Sequence, residues 1–106
     1  MATLSVAVVG AGPAGATAAR LLAGQGAHVS LLEARRLPRR KLCGGGLTPK
    51  AQRLVPPAAL ATVERFIHRL ELRGGRFPAI RLDEPGAEIA MVERDRFDFT
   101  LAEAAA

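Results

Sequence analysis

The first third of the chain alternates between two short apolar runs and one longer helical segment. Residues 4–9 are almost wholly apolar and mostly small or β-branched, which predicts a parallel strand covered on both faces. Residues 13–23 are rich in alanine and leucine and are followed by glycines, which predicts a helix. With a second strand over residues 28–32, residues 1–34 are predicted to form a βαβ unit. The helix residues predicted to face the sheet are Ala14, Ala18, Leu21 and Leu22.

The next segment, residues 35–65, is predicted to be a basic loop followed by short helices. Thr48 can cap a helix and Pro49 can be its first residue, because proline suits the first helical turn. This helix should run to about Val55, where two prolines break it. Residues 58–64 are expected to add another turn or two.

From residue 66 the apolar residues recur with a period of two, which is typical of strands. Turn residues separate the runs, so residues 66–92 are predicted to form an antiparallel meander. Proline at position 78 makes the middle strand resemble an edge strand. The predicted strands are residues 66–73, 77–82 and 87–92, with turns at residues 74–75 and 83–86.

The last segment, residues 94–106, has the apolar spacing of a helix. Asp95 is a candidate N-cap, and Asp98 follows three residues later in an acidic variant of the capping box. The buried stripe of this helix is predicted to consist of Phe97, Leu101, Ala104 and Ala105.

Three glycines follow the first strand in the spacing G-x-G-x-x-G, which is typical of dinucleotide-binding proteins. Gly10 permits the tight turn, Gly12 lets a pyrophosphate approach the backbone, and Gly15 lets the helix pack closely on the strand. Pro13 fits the first helical turn, whose free N–H groups face the phosphates. An acidic residue about 20 residues further on binds the ribose 2′-OH in such proteins, and Glu33 has this position.

The elements and the glycine motif together predict an α/β protein with a Rossmann-like fold that binds FAD or NAD(P). A chain of 106 residues can bury one small core, whereas a complete dinucleotide-binding sheet uses two βαβ halves. The last helix also lacks a glycine or proline as a stop signal. We therefore expect the N-terminal part of a longer protein.

The net charge of +5 favours an anionic partner, and five basic residues cluster within residues 35–41. In one interpretation Arg35 or Arg36 binds the 2′-phosphate of NADP. In the other, the cluster binds the pyrophosphate and other parts of an anionic cofactor. We prefer the second, because Glu33 would repel a 2′-phosphate. Nucleic acid is not expected, since the chain has four phenylalanines and no tyrosine or tryptophan for base stacking.

The single cysteine, Cys43, makes an internal disulfide impossible and agrees with a reducing, cytoplasmic compartment. The N-terminus has no basic region before an apolar run, so no signal peptide is predicted. No apolar run approaches the ~18 residues that span a bilayer, although peripheral contact with a membrane stays open. His68 has no partner residues at ligand spacing, and no metal site is predicted.

Three separated motifs resemble those of the geranylgeranyl reductase family, flavoproteins of the broader group typified by p-hydroxybenzoate hydroxylase. The first motif, GAGPAG with Glu33, is shared by many FAD and NAD(P) proteins, and the second is the specific one. Flavin halogenases have a similar start but a different stretch in place of residues 43–46. The motifs are GAGPAG at residues 10–15, KLCGGGLTPKA at residues 41–51 and VERDRFDxxL at residues 92–101.

The resemblance implies FAD as the cofactor and residues 1–106 as the N-terminal part of an FAD-binding domain. The glycines and the acidic residue would hold the ADP half of FAD. The arginine of the third motif would contact FAD, and the cysteine and glycines of the second would lie near the isoalloxazine ring. The cofactor-binding residues implied in this way are Gly10, Gly12, Pro13, Ala14, Gly15, Glu33, Ala34, Arg35, Cys43, Gly44, Gly45, Gly46 and Arg94.

The family reduces isolated double bonds in isoprenoid chains, with reduced FAD as the hydride donor. The resemblance therefore implies a hydrophobic isoprenoid substrate, and NAD(P)H or a reduced protein carrier as the electron donor. A flavin-dependent monooxygenase or halogenase is one alternative, and a non-catalytic dinucleotide-binding fragment is another. Because the chain lacks the later Gly-Asp segment and the substrate domain of this group, we expect the fragment alone to be inactive.

Cys43 is the candidate catalytic residue. Reduction of an isolated double bond needs a proton donor as well as a hydride donor. As a poised thiol beside basic residues such as Lys41, Cys43 could place or relay this proton. A buried and inert cysteine is an equal alternative on the sequence alone.

Overall fold

The computed structural model describes residues 2–83, 85–86 and 88–106. Its first strand, β1 (Ser5–Val9), pairs in parallel with β2 (His28–Leu32), from Ser5 opposite His28 to Val9 opposite Leu32. Helix α1 (Pro13–Gly24) connects the two strands and ends just before Gly26, which has a φ of 90°. The predicted order of strand, helix and strand is confirmed.

Helix α1 buries a different face from the one predicted. Ala16 and Ala19 are buried, because a helix near the C-terminus packs against this side of α1. Within the described residues the parallel sheet has two strands, so the opposite side of α1 has little to cover it. The predicted sheet-facing residues that are instead exposed are Ala14, Ala18 and Leu21.

The segment after the basic loop forms a short strand and two short helices. Thr48 caps the first helix as predicted, since its Oγ1 accepts a hydrogen bond from the Ala51 N–H at 3.2 Å. The helical turns expected over residues 58–64 are shorter than predicted, because Val63 already begins a strand. These elements are β3 (Gly46–Leu47), α2 (Pro49–Leu54) and α3 (Pro57–Leu60).

The remaining strands are antiparallel, as predicted, but they do not pair in the order of a meander. Strand β7 is central and lies between β3 and β4. The single strand predicted over residues 66–73 is wrong, because these residues are divided between β4 and β5 in two different sheets. The strands are β4 (Val63–Ile67), β5 (Leu70–Leu72), β6 (Ile80–Leu82) and β7 (Ile89–Val92).

Strands β5 and β6 form a separate hairpin with one apolar face. Leu70 lies opposite Leu82 and Leu72 lies opposite Ile80, so the four side chains share that face. All four are exposed. The opposite face carries ion pairs around Glu71, whose carboxylate contacts the guanidinium groups of Arg73 and Arg81.

One predicted boundary near this hairpin needs correction. Strand β6 begins at Ile80 and not at residue 77, because residues 74–77 form a turn in which the Phe77 N–H donates to the Gly74 carbonyl at 3.2 Å. The predicted strand start at Ala87 and the predicted turn residue Glu84 lie outside the described residues.

The last helix, α4 (Arg94–Ala105), begins without the predicted cap. Glu93 is its N-cap residue and makes no side-chain cap hydrogen bond. Asp95 instead accepts a hydrogen bond from the neighbouring Arg96 N–H at 2.7 Å. Asp98 is not part of a capping box, because its carboxylate is buried and bonds to two arginines. The predicted burial of Phe97 and Leu101 is confirmed.

Helices α1, α3 and α4 pack around one small core, in which each fully buried Phe or Leu side chain contributes about 1.5–3 kcal/mol. Because this core joins the βαβ unit to the antiparallel sheet, the start of α4 lies beside the glycine turn. No helix of the described residues is long and apolar enough to cross a bilayer. The buried residues of the core are Ala16, Ala59, Val92, Phe97 and Leu101.

Candidate cofactor-binding site

The glycine turn lies at the edge where β1 and β2 both end. Gly10 has a φ of 103°, and its N–H donates to the Leu32 carbonyl at 2.7 Å. Gly15 is required by packing, because a Cβ at this residue would lie 1.8 Å from the Gly10 carbonyl oxygen. The tight turn and the close packing of α1 on β1 are therefore built into the fold.

Gly12 differs from Gly15 because no contact among the described residues requires a glycine there. Its φ of −75° is open to any residue. A Cβ would lie 3.9 Å from Arg94 Nη2 and 4.0 Å from Arg39 Nη2, which are ordinary contact distances. Gly12 is also the N-cap of α1, whose first N–H groups have no intrahelical partners. A phosphate that approaches this backbone fits the open space and the free donors.

The Glu33 carboxylate, which follows β2, connects the glycine turn with the basic loop. Its Oε2 accepts a hydrogen bond from the Ala11 N–H at 2.9 Å, and its Oε1 accepts one from the Arg35 N–H at 3.4 Å. The same Oε1 lies 3.5 Å from Arg39 Nε. The Ala11 N–H is the largest of the causes that lower the pKa of Glu33. Glu33 is therefore an ionised acceptor beside the glycine turn.

A buried carboxylate holds two arginines against this turn. Asp98, on α4, is 0% exposed and accepts hydrogen bonds from Arg94 Nε at 2.7 Å and Arg94 Nη2 at 3.0 Å. Arg39 Nη1 donates to the same carboxylate at 2.7 Å. These hydrogen bonds are the main cause that raises the pKa of both Arg39 and Arg94. Two cations thus compensate one buried anion.

Cys43 is an exposed free thiol near Arg94. Its Sγ accepts a hydrogen bond from the Gly45 N–H at 3.4 Å. That N–H first, and the Arg94 guanidinium second, lower the pKa of Cys43. The sequence predicted that Lys41 favours the thiolate, whereas in the structure the Gly45 N–H and Arg94 have this effect. The alternative of a buried cysteine is wrong, because the side chain is exposed.

The three glycines after Cys43 have different surroundings. Gly45 is buried with a φ of 73°, and a Cβ on it would lie 2.1 Å from the Val92 carbonyl oxygen. A Cβ on Gly46, the first residue of β3, would lie 3.2 Å from Ile89 Cγ2. Around Gly44 there is open space. Packing against β7 therefore accounts for the second and third glycines, whereas the first leaves bare backbone exposed.

Two adjoining open clefts extend from the glycine turn to Cys43. The first, of about 510 Å³, is lined by Gly10, Gly12 and Glu33, and the second, of about 550 Å³, is lined by Cys43 and Glu93. A dinucleotide has its charged phosphates between two larger ends, and mainly basic side chains lie where these clefts join. The residues that line both clefts are Arg35, Arg40, Lys41, Leu42 and Arg94.

The structure brings about half of the predicted cofactor residues into these clefts. The predicted residues that line them are Gly10, Gly12, Glu33, Ala34, Arg35, Cys43 and Arg94. The other predicted residues do not line the clefts, and the contacts above give Gly15, Gly45 and Gly46 packing roles. These others are Pro13, Ala14, Gly15, Gly44, Gly45 and Gly46.

Sequence reasoning missed two residues of this site. It assigned Asp98 to a helix cap and gave Arg39 no role beyond the basic loop. The spacing of Arg94 and Asp98, four residues apart on one helix, is a signal that pairs them. No comparable local signal pairs Arg39 with Asp98, because the two are 59 residues apart in the chain.

Comparison with known proteins identifies the cofactor of this chain. Residues 3–61 match the family described as an FAD binding domain. The chain belongs to this family of FAD-binding domains. Its cofactor is FAD, and the α/β FAD-binding fold predicted from the sequence is confirmed.

Two curated relatives are menaquinone reductases. The chain is 47% identical over 73 residues to the menaquinone reductase of Mycolicibacterium smegmatis, an alignment that covers 65% of this chain and 18% of the relative. It is 52% identical over 46 residues to the menaquinone reductase of Mycobacterium tuberculosis, which covers 43% of this chain and 11% of the relative. The chain thus spans less than a fifth of the length of these relatives.

Two solved structures share the fold over nearly the whole chain. One is a myxobacterial chondrochloren halogenase, described as a variant of FAD-dependent halogenases, with a TM-score of 0.77 and 26% identity over 99% of this chain and 27% of that one. The other is a flavoprotein/dehydrogenase from Cytophaga hutchinsonii, with a TM-score of 0.78 and 27% identity over 96% of this chain and 28% of that one. Both agree with an FAD-dependent flavoprotein.

Proposed function

We propose that this chain forms the FAD-binding part of an oxidoreductase that reduces double bonds of an isoprenoid, geranylgeranyl-type chain. The observation that carries the proposal is the exposed Cys43 thiol beside Arg94, in the cleft that adjoins the one containing Glu33. In this proposal the cleft that contains Glu33 would hold the nucleotide end of FAD, and the cleft that contains Cys43 would hold the reactive end. The similarity to menaquinone reductases supports the substrate class, because menaquinone bears an isoprenoid side chain.

The side chains of the two clefts have distinct roles in this proposal. Glu33 and the glycine turn would hold the ADP half of FAD, and Arg94 would contact its diphosphate. Bound FAD supplies the two-electron chemistry. Cys43 would donate its thiol proton near the reacting carbon, and the Gly45 N–H and Arg94, which lower its pKa, would stabilise the thiolate that remains.

The same proposal assigns partners and a location. Electrons would come from NAD(P)H or a reduced protein carrier. The substrate would be hydrophobic, and the relatives named as menaquinone reductases favour a quinone with an isoprenoid tail. Such a substrate dissolves in lipid, so we place the protein in the cytoplasm with peripheral contact to a membrane.

A second candidate function is that of an FAD-dependent halogenase or monooxygenase. The structural similarity to the chondrochloren halogenase over 99% of this chain favours it. In that case the reaction would consume oxygen, and Cys43 would be dispensable.

The deciding experiment mixes the full-length protein, reduced without oxygen, with menaquinone and determines the product mass after re-exposure to air. Reduction of the side chain adds two hydrogens per double bond and survives the air. Reduction of the quinone ring alone reverses in air and would exclude alkene reduction. An oxygen-dependent gain of oxygen or chlorine on an aromatic substrate would support the second candidate. Cys43→Ala should keep its FAD and lose most of the alkene reduction.

A further inference from the structure

Asp98 makes more hydrogen bonds than helix α4 requires. The burial of its charge also has a free-energy cost that the fold alone does not explain. The carboxylate is fully buried and accepts three hydrogen bonds from two guanidinium groups. Buried ion pairs contribute little net stability, since apolar residues of similar volume often replace them without loss. The fold would therefore gain little from this ion cluster unless the two arginines have a further use.

Both arginines that Asp98 holds reach the same point of the glycine turn. The position of a Cβ on Gly12 lies 3.9 Å from Arg94 Nη2 and 4.0 Å from Arg39 Nη2. A guanidinium has five N–H donors, and Asp98 takes only some of those on each arginine. Donors from two cations are thus left beside the backbone that a dinucleotide phosphate approaches.

We propose that Asp98 is a positioning residue for the diphosphate of FAD. By binding Arg39 and Arg94 at once, it fixes their remaining N–H donors beside Gly12, where the diphosphate lies. The inference deepens the proposed function and rests on its placement of the ADP half of FAD at the glycine turn. It does not depend on which substrate the enzyme reduces.

The electrostatics of the cluster show why a carboxylate is needed for this task. Arg39 Nη1 and Arg94 Nη2 both contact Asp98 Oδ2, at 2.7 Å and 3.0 Å, so the two cations are close together. Without an anion between them they would repel each other and turn toward solvent. Their side chains are only 9% and 16% exposed, so solvent screens this repulsion weakly.

The same cluster reaches both ends of the cofactor site. Arg39 also lies 3.5 Å from Glu33, and Arg94 lies beside Cys43. One buried carboxylate on α4 therefore holds one side chain of the basic loop, Arg39, and one of its own helix, Arg94. Through them it connects Glu33 to the candidate catalytic thiol.

The test compares Asp98→Asn with Glu64→Gln in the full-length protein after removal of FAD. Asparagine has nearly the same shape but lacks the charge that holds two guanidinium groups. Glu64, on β4, is the matched control. Its carboxylate pairs on the exposed surface with Arg96, an arginine of α4, at 3.2 Å. We expect Asp98→Asn to weaken FAD and ADP binding about tenfold or more, and Glu64→Gln to leave both unchanged.

Adenosine distinguishes positioning from a general loss of structure, because it lacks the diphosphate. Adenosine binding should be nearly the same in Asp98→Asn and the wild type. Equal losses for ADP and adenosine, or unchanged ADP affinity with lower stability, would show a structural role alone and overturn the proposal. Failure of both proteins to bind adenosine would instead contradict the placement of the ADP half of FAD.

Arg39→Lys keeps the inference testable if Asp98→Asn does not fold. Lysine retains the charge that compensates Asp98 but loses the planar fork that donates in two directions. The expected result is again a selective loss of ADP binding relative to adenosine. An Arg39→Lys protein with the ADP affinity of the wild type would contradict the positioning role.

Discussion

The Glu33 carboxylate accepts a hydrogen bond from the Ala11 N–H at 2.9 Å, although the two residues are 22 positions apart. The contact joins the end of β2 to the turn after β1, since parallel strands end at the same edge of a sheet. The acid that the sequence assigns to a ribose hydroxyl is therefore also an anchor of the glycine turn.

The first prediction is that this anchor depends on pH. The Ala11 N–H lowers the pKa of Glu33 from its ordinary value of 4.5. A carboxyl group whose pKa is lower in the folded state stabilises the fold at pH values above its unfolded-state pKa. This stabilisation is lost as the pH falls through the folded-state pKa. Wild type should be more stable than Glu33→Gln at neutral pH, and the difference should vanish in acid. Thermal unfolding of both proteins from neutral pH down to about pH 3 measures it. A difference that stays constant over this range would contradict the assignment.

The second prediction separates the two functions of the glycine motif. Gly12→Ala should fold with a stability within about 1 kcal/mol of the wild type, because a Cβ there meets only ordinary contacts. It should nevertheless lose FAD affinity, since the methyl group occupies the approach of the diphosphate. Gly15→Ala should be destabilised by about 1–3 kcal/mol or more, because its Cβ would overlap the Gly10 carbonyl.

Urea unfolding of the apo proteins and FAD titration by fluorescence measure the two effects independently. The two variants control for each other, because each adds one methyl group to the same glycine motif. Similar losses of stability in both would mean that Gly12, like Gly15, is a packing residue.

The βαβ unit and its glycine turn could be predicted because their signals are local. Strand, turn and helix follow one another directly, and Gly10 and Gly15 fill positions that the packing of adjacent elements requires. The order of the antiparallel strands could not be predicted in this way, because Gly46 in β3 pairs with Met91 in β7, far along the chain. In a meander each strand pairs with the next strand in the sequence. Here β3, the short strand after the glycine run, pairs instead with the distant β7.

Asp98 shows the same limit within the site. An acid near the start of a helix is normally assigned to a cap or to the helix dipole. Here the packing of Phe97 and Leu101 buries this part of α4 in the core. The carboxylate between them is then buried too, and a buried charge is stable only when it is paired with cations. One of them, Arg39, comes from a distant loop, so the pattern of α4 alone does not reveal it.

The third prediction concerns the reactivity of Cys43. Because the Gly45 N–H and Arg94 lower its pKa, alkylation of this thiol should reach half of its maximal rate at a lower pH than the ordinary value of 9.0 would give. Arg94→Gln should move this midpoint upward. Lys41→Gln is the control, since Lys41 lines the same cleft without being a cause of the shift. The rate of iodoacetamide modification against pH measures all three proteins. An upward shift from Lys41→Gln but not from Arg94→Gln would reverse the assignment.

The last prediction follows from apolar surface that the described residues leave uncovered. Val9 is 83% exposed, Leu4 65% and Leu32 51%, all at or beside the parallel sheet. The apolar face of the hairpin of β5 and β6 is exposed as well. Parallel sheets are stable when both faces are covered, and a small domain with this much open apolar surface has little free energy left to offset its chain entropy.

A protein of residues 1–106 alone should therefore unfold without a cooperative transition and bind FAD weakly or not at all. Differential scanning calorimetry and FAD titration of this fragment, beside the full-length protein, test the two parts of the prediction separately. The full-length protein should show a sharp transition that FAD moves to higher temperature, because a ligand of the folded state stabilises it. A sharp transition in the fragment, moved upward by FAD, would show that the small core around Phe97 and Leu101 suffices to hold the site together.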